Sequence, residues 1–268
     1  MRPCFICDTS ANVSHYANVD AQTYLRCTQC GLIFVDNIKS PDKLYHAYDG
    51  GLLKAWRRRL VAPLRGFTHV RNFEKSMARA NRIFDFVISL NRVSSQTGSL
   101  RYVGPTWLDI GCNKGFLLAA ALAQNWQVYG VELVPELMVP FQRKFKQFAN
   151  NIFSKRFIEV QANFAENTFE VISAIDVIEH FEEPRRDMSG IYRMLKPGGL
   201  FVAQTPDGAA KQAVELKERW GALKPLEHLH LFNSSNLEIF AEQLGFVEIK
   251  FFPPFEEADG NLVAVLRK

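Results

Sequence analysis

The sequence predicts an α/β protein built on a doubly wound, mainly parallel sheet, with a small cysteine ribbon in front of it. Three observations carry this expectation. From Thr106 onward, short apolar runs alternate with stretches of helical periodicity. A glycine-rich turn joins the first run to the first helix. Two Cys-x2-Cys pairs fall within the first thirty residues.

In order, Trp107–Ile110, Val128–Val131, Phe169–Ala174 and Leu200–Gln204 read as buried strands. Between and after them Phe116–Gln124, Pro135–Phe148, Arg186–Leu195 and Asn236–Leu244 read as helices. A further strand falls on either Asn151–Phe153 or Phe157–Val160. Phe246–Phe252 and Leu262–Arg267 follow one another without a helix, which requires an antiparallel finish. Upstream, residues 52–93 have helical spacing (Trp56, Leu60, then Phe73, Met77, Phe84, Val87), broken near Pro63 and Gly66, and Ser94–Gly104 reads as a loop. The expected division is a zinc ribbon over 1–40, a basic helical lid over 41–100 and the sheet domain over 101–268.

Composition agrees with a globular chain: of 268 residues, 47% are hydrophobic and 22% charged. The longest apolar run, Phe116–Ala123, is far short of a membrane helix. The N-terminal residues have no apolar signal core, so the expected location is the cytoplasm. The net charge of +4 is unevenly placed: residues 54–82 hold nine Lys/Arg and one acid, Glu74, giving +8 against −4 elsewhere.

Cys4-x2-Cys7 followed by Cys27-x2-Cys30 has the spacing of a four-thiolate zinc site. Each pair forms a tight knuckle, and four protein ligands leave no open position for catalysis. The ribbon is too short for a core of its own, so the metal is expected to supply folding energy. Its role is therefore structural or docking.

In Leu108-Asp109-Ile110-Gly111-Cys112-Asn113-Lys114-Gly115, Gly111 and Gly115 allow a tight turn and close approach to a ligand. Asn113 stands where a dinucleotide fingerprint has its middle glycine. About twenty residues on, Glu132 ends the second strand, where a carboxylate can accept both hydroxyls of a ribose. The pair Asp109 and Glu132 points to a nucleoside-containing cofactor.

With Phe169–Ile172, Asp176-Val177-Ile178-Glu179-His180 and Leu195-Lys196-Pro197-Gly198-Gly199-Leu200, this ordered set resembles the motifs of class I S-adenosylmethionine-dependent methyltransferases. Glu227-His228-Leu229-His230-Leu231-Phe232 and Leu244-Gly245-Phe246 are similar to the tail of a bacterial branch of that family. The resemblance spans about residues 100–268. It implies a seven-stranded, Rossmann-like mixed sheet and S-adenosylmethionine as cofactor. Asp109, Gly111, Cys112 and Gly115 would border its methionine part, Glu132 would hold the ribose and Leu133 would flank the adenine. Asp176 and Val177 would close the pocket beside the sulfonium. The residue reading the adenine amino group falls on Ser154 or Asn163.

Methyl transfer needs an aligned, desolvated nucleophile and, for many acceptors, a base. Among His180, His228 and His230, the first two follow sheet motifs that face the cofactor, and Glu227 is expected to orient His228. The ribbon, the histidine after the fourth strand and the Glu-His pair also resemble nucleotide-sugar C-methyltransferases, with Pro225 replacing a tyrosine and no large extra C-terminal domain. The favoured reading is thus a methyltransferase of a small metabolite, a sugar or nucleotide-linked sugar. Asp176-x-x-Glu179-His180 with a later histidine also resembles the Mg²⁺ site of some RNA 2′-O-methyltransferases and ubiquinone-pathway O-methyltransferases, a less favoured reading because Asp176 has the shorter reach. An RNA substrate gripped by the basic segment is the enzyme alternative. A non-catalytic, cofactor-binding partner protein docking through the ribbon is the alternative of another class.

Overall fold

A computed structural model describes residues 1–38, 66–90, 104–256 and 260–268. Residues 54–65 of the basic segment, the expected break at Pro63 and the 94–104 loop lie outside the described residues, Gly104 apart.

Five strands of the main sheet run parallel. They are β4 (Thr106–Ile110), β5 (Gln127–Val131), β6 (Ile152–Phe153), β7 (Phe169–Ile175) and β8 (Leu195–Pro206). Strand β11 (Asn261–Arg267) lies between β8 and β10 (Glu248–Phe252) and is antiparallel to both, so β10 points the same way as the other five, in the order β10-β11-β8-β7-β4-β5-β6. This is the expected seven-stranded mixed sheet. Because β4 pairs with β5 on one side and β7 on the other, the direction of winding reverses at β4. A crevice opens at the carboxyl ends of the strands at such a point, and ligands bind there.

Two expectations change in detail. Of the two segments offered for the sixth strand, Ile152–Phe153 is the strand and Phe157–Val160 is a short helix, α4. Strand β8 starts at Leu195, because Pro197 and Gly198 (φ +78°) sit in an irregular, bulged opening rather than ending an element.

The helices cover both faces. On one, α1 (Gly66–Leu90), α2 (Phe116–Leu122) and α3 (Pro135–Lys144) lie over the sheet. Helix α1 presents Ala80, Ile83, Phe84 and Val87 at helical spacing, and the Phe84 ring stacks on Trp107 at 5.6 Å. On the other face lie α4, α5 (Pro184–Met194) and α7 (Ser234–Leu244). Asn233 and Asn236 bond each other's backbone to start α7, and Gly245 at φ +98° stops it. The short α6 is Lys211–Leu216.

The N-terminal sheet is made of β1 (Val13–Val19), β2 (Gln22–Cys27) and β3 (Ile33–Val35), and it takes a fourth strand from far along the chain, β9 (His230–Leu231). Its side chains share a core with the main domain: Cys4, Ile6, Leu25 and Phe34 belong to the same buried cluster as Leu108, Ile172 and Phe240. Phe5 sits edge-on against His230, Phe232 and Phe240. The ribbon therefore draws stability from this packing as well as from any metal.

Candidate active site

A cavity of about 960 Å³ opens at the reversal point beside β4. Asp109, Gly111, Cys112, Glu132, Leu133, Asp176 and Val177 line it, as does His180, so the expected cofactor residues converge on one space. Gly115 sits just behind. At φ +72° it starts α2, and an added Cβ would lie 2.6 Å from the Phe141 ring. Gly111, at φ +70°, has Val177 Cγ2 2.4 Å from where a Cβ would be. Both positions require glycine. Asn113 adopts the left-handed conformation itself, at φ +49°, which asparagine tolerates better than other side chains. The missing middle glycine therefore costs the turn little.

Glu132 is held by its own loop. Oε2 accepts the Asn113 N–H and Oε1 the Val134 N–H, each at 2.9 Å. One lone pair on each oxygen remains for further donors. Asp109 is buried at the cavity floor: Trp107 Nε1 donates to Ser173 Oγ at 2.8 Å, and Ser173 donates to Asp109 Oδ1 at 2.6 Å. Burial pushes the Asp109 carboxyl up to about 7, against the pull of the Ser173 hydrogen bond. Cys112 is buried with Sγ 3.6 Å from Met138 Sδ, and burial raises its thiol, consistent with a packing role. Neither Ser154 nor Asn163 lines the cavity. Lys155, Arg156 and Phe157 do, following directly from the short β6.

A second cavity of about 480 Å³ adjoins the first, and Asp176, His180 and Glu227 line both. His228, Glu179, Trp220, Lys224 and Asn261 line its far side. The His180 and His228 rings meet edge to face at 5.1 Å. His180 Nδ1 lies 2.7 Å from the Glu227 carbonyl oxygen and His228 Nδ1 lies 2.8 Å from that of Ala222. A carbonyl only accepts, so both Nδ1 atoms carry the proton and both Nε2 atoms hold a lone pair. Burial lowers both imidazoles, His228 to about 4, so both are neutral at pH 7. Glu179 is fully buried, accepts from Thr205 Oγ1 at 3.0 Å, and burial raises its carboxyl to about 8.

Glu227 acts differently from expectation. Its carboxylate lies 3.8 Å from Lys224 Nζ, and it is its main-chain oxygen that engages a histidine, His180 rather than His228. His230 is buried in β9 with neither ring nitrogen hydrogen-bonded, away from both cavities' linings. One ligand atom each of Glu179, His180 and His228 lies within 4.8 Å of the others, but Asp176, which the divalent-ion reading needs, is outside that group. Its carboxylate is engaged by Gln204 Nε2 at 3.0 Å and Arg79 at 3.2 Å. Arg79 is a contact the sequence did not single out. From α1 it spans Asp176 and Glu256, 3.2 Å from each, and so ties that helix over the cavity. Its place in the basic segment was the available signal.

In the N-terminal ribbon, the sulfurs of Cys4, Cys7, Cys27 and Cys30 all lie within 4.8 Å of one another. The Cys4–Cys30 and Cys7–Cys27 separations are 3.6 and 3.8 Å, too long for a disulfide. They match the roughly 3.8 Å edge of a tetrahedron with Zn–S bonds of about 2.3 Å. The donor set and spacing fit zinc. No helix among the described residues is long and apolar enough to cross a membrane.

This fold and this crevice are those of a methyltransferase domain: that family matches residues 89–250, and the chain belongs to it. A ubiquinone biosynthesis O-methyltransferase of Xanthomonas oryzae is 29% identical over 153 residues, covering 53% of this chain and 64% of that protein. One from Idiomarina loihiensis is 26% identical over 199 residues, covering 68% and 81%. The chain thus spans under two thirds of the first of these relatives. Among solved structures, the Burkholderia thailandensis 1,6-didemethyltoxoflavin-N1-methyltransferase, with 1,6-didemethyltoxoflavin and S-adenosylhomocysteine bound, aligns with a TM-score of 0.53 at 18% identity. It covers 95% of this chain and 99% of its own. A [4+2]-cyclase aligns at 0.52 with 17% identity, covering 70% and 80%. At these identities the two structures speak for the fold alone.

Proposed function

We propose that the chain is an S-adenosylmethionine-dependent methyltransferase of a small, hydroxylated metabolite, a sugar or nucleotide-linked sugar. One observation carries the reading. The acid-and-glycine crevice at Asp109, Gly111 and Glu132 opens onto a second, polar chamber across a partition that holds a neutral histidine. When bound, S-adenosylmethionine supplies a methyl group on a sulfonium, an electrophile that needs no metal to activate it. The chain's own residues then do the rest. The free lone pairs of Glu132 accept the ribose hydroxyls, and Leu133 packs on the adenine. Asp109, the Gly111–Gly115 loop and the Asp176–Val177 turn enclose the methionine end.

The acceptor enters from the second chamber. His228 Nε2, or His180 Nε2 beside it, takes the acceptor's proton as the new bond forms, and the buried setting keeps either base neutral and ready. Asp176, Asn261, Lys224 and Glu227 offer hydrogen bonds and Trp220 offers a ring face, a lining that suits a polyhydroxylated ring better than a long apolar tail. Zinc on Cys4, Cys7, Cys27 and Cys30 holds the ribbon.

Calorimetric titration with S-adenosylhomocysteine tests the first half: micromolar or tighter binding at one site is expected, and no binding by the folded protein ends the proposal. Transfer of labelled methyl from S-adenosylmethionine to a panel of sugar nucleotides, phenols and RNA tests the second. Incorporation into RNA alone would overturn the small-acceptor reading.

A further inference from the structure

The N-terminal sheet touches the proposed base directly. Tyr24, fully buried in β2, donates its hydroxyl to the His228 main-chain oxygen at 2.8 Å. The next residue, Leu229, donates its N–H to the Glu179 oxygen at 2.8 Å and accepts from the Val35 N–H at 3.0 Å, and β9 then pairs with β3. Tyr16, from β1, donates to the Ala213 oxygen at 3.1 Å, at the start of the segment that runs on to Trp220 and Ala222. Ala222 is the residue whose carbonyl fixes the His228 ring. The ribbon thus grips both the backbone that carries His228 and the segment that sets its tautomer. None of its residues lines either cavity, so it acts on the chamber through the chain segments behind it.

We infer that the zinc ribbon is a buttress behind the acceptor chamber, with Tyr24 and Tyr16 as positioning residues that aim His228, rather than a module for docking another protein. The inference rests on the reading of His228 as a base. Geometry makes the assignment specific. Two hydroxyls on directly paired strands reach the main chain of α6 at Ala213 and of His228, and the four cysteines lie at the base of the same sheet, Cys27 as the last residue of β2. A docking module would turn its contacts outward, whereas these aim inward at a functional side chain. Cofactor binding and acceptor positioning become separable, the first owed to β4, β5 and β7 and the second to the ribbon.

The test uses the full chain, zinc-loaded, with Tyr24→Phe, which keeps the ring and removes only the hydroxyl. Zinc content and S-adenosylhomocysteine affinity are expected within twofold of wild type. Long-range ¹H–¹⁵N spectra should show the His228 ring leaving its single Nδ1–H tautomer for a mixture, and amides of 224–231 should exchange with solvent at least tenfold faster. A His228 ring and loop exchange identical to wild type would overturn the inference. Should Tyr24→Phe lose its zinc, Tyr16→Phe decides by the same two readouts, since Tyr16 is only half-buried and its loss leaves the ribbon core intact. Failure of wild type to bind S-adenosylhomocysteine would instead sink the functional reading, a distinct result.

Discussion

Replacing Glu132 offers the sharpest check on the cofactor crevice. The carboxylate spends one lone pair on each oxygen holding the Asn113 and Val134 N–H groups at 2.9 Å, leaving one on each for a ribose hydroxyl. Glu132→Gln keeps the shape but turns one of the two oxygens into an N–H₂ that faces a backbone donor. Hydrogen bonds to a charged partner contribute about 1.5–3 kcal/mol each. Loss of two such bonds removes about 3 kcal/mol or more of cofactor binding, which is at least about 100-fold in affinity. The assay is calorimetry with S-adenosylhomocysteine, with thermal unfolding run alongside to show that the variant is folded. Glu132→Ala, which frees both N–H groups, should abolish measurable binding. A folded variant binding within threefold of wild type would refute the placement of the ribose and with it the crevice.

Other expectations follow from the same contacts. Ser173→Ala removes the donor to buried Asp109 and strands the Trp107 indole N–H, and chemical denaturation should show a loss of about 1–3 kcal/mol. Cys27→Ser should abolish zinc retention, as metal analysis reads, and cost on the order of 4 kcal/mol because the ribbon core is continuous with the main one. His228 has a native value of about 4, against roughly 6.5 when unfolded. Between those values the unfolded chain binds more protons, so His228 weakens the fold as pH falls through that window and has no such effect above it. His228→Gln should therefore lose less stability than wild type between pH 6.5 and 4, by up to about 3 kcal/mol. For Glu179 the sign reverses: its native carboxyl, near 8, holds a proton the unfolded one releases above about 4.5. Wild type should lose stability as pH rises from 5 to 8, and Glu179→Gln should flatten that decline.

What the residues disclosed divides along physical lines. Parallel strands buried on both faces are near-continuous apolar runs, so β4, β5, β7 and the core of β8 were legible, as was the helix-free ending at β10 and β11. The gathering of the four cysteines was legible because two Cys-x-x-Cys pairs each fold into a tight turn whose sulfurs can face a common point. The residues that gather at the crevice were legible because glycines at positive φ and a strand-end acid are side-chain requirements. Main-chain work leaves no such mark. His180 and His228 are held by the carbonyls of Glu227 and Ala222, which any residue supplies, so the side chain of Glu227 gives no sign that its backbone holds His180 while Ala222 holds His228. Strand β9 has two residues, too few for a periodic pattern, and its partner lies some 200 positions earlier. Strand β6 is as short, so its apolar pattern does not distinguish it from Phe157–Val160, and only its pairing with β5 does.

Strand β9 also bears on how the molecule is made. Tyr24 and His228 are separated by 204 residues, yet a buried hydrogen bond joins them, and Tyr24 packs in one cluster with Ile33, Trp220 and Leu231. During synthesis the ribbon strands emerge first, with one sheet edge unpaired and a row of apolar side chains uncovered until the last fifth of the chain arrives. Contacts of such long sequence separation form late and slowly. Metal capture by the four thiols can hold the early strands together over that interval, while α7 and β9 arrive to cover them. The ion would then matter most before the enzyme is finished, as a placeholder for a partner that lies in the chain's own future.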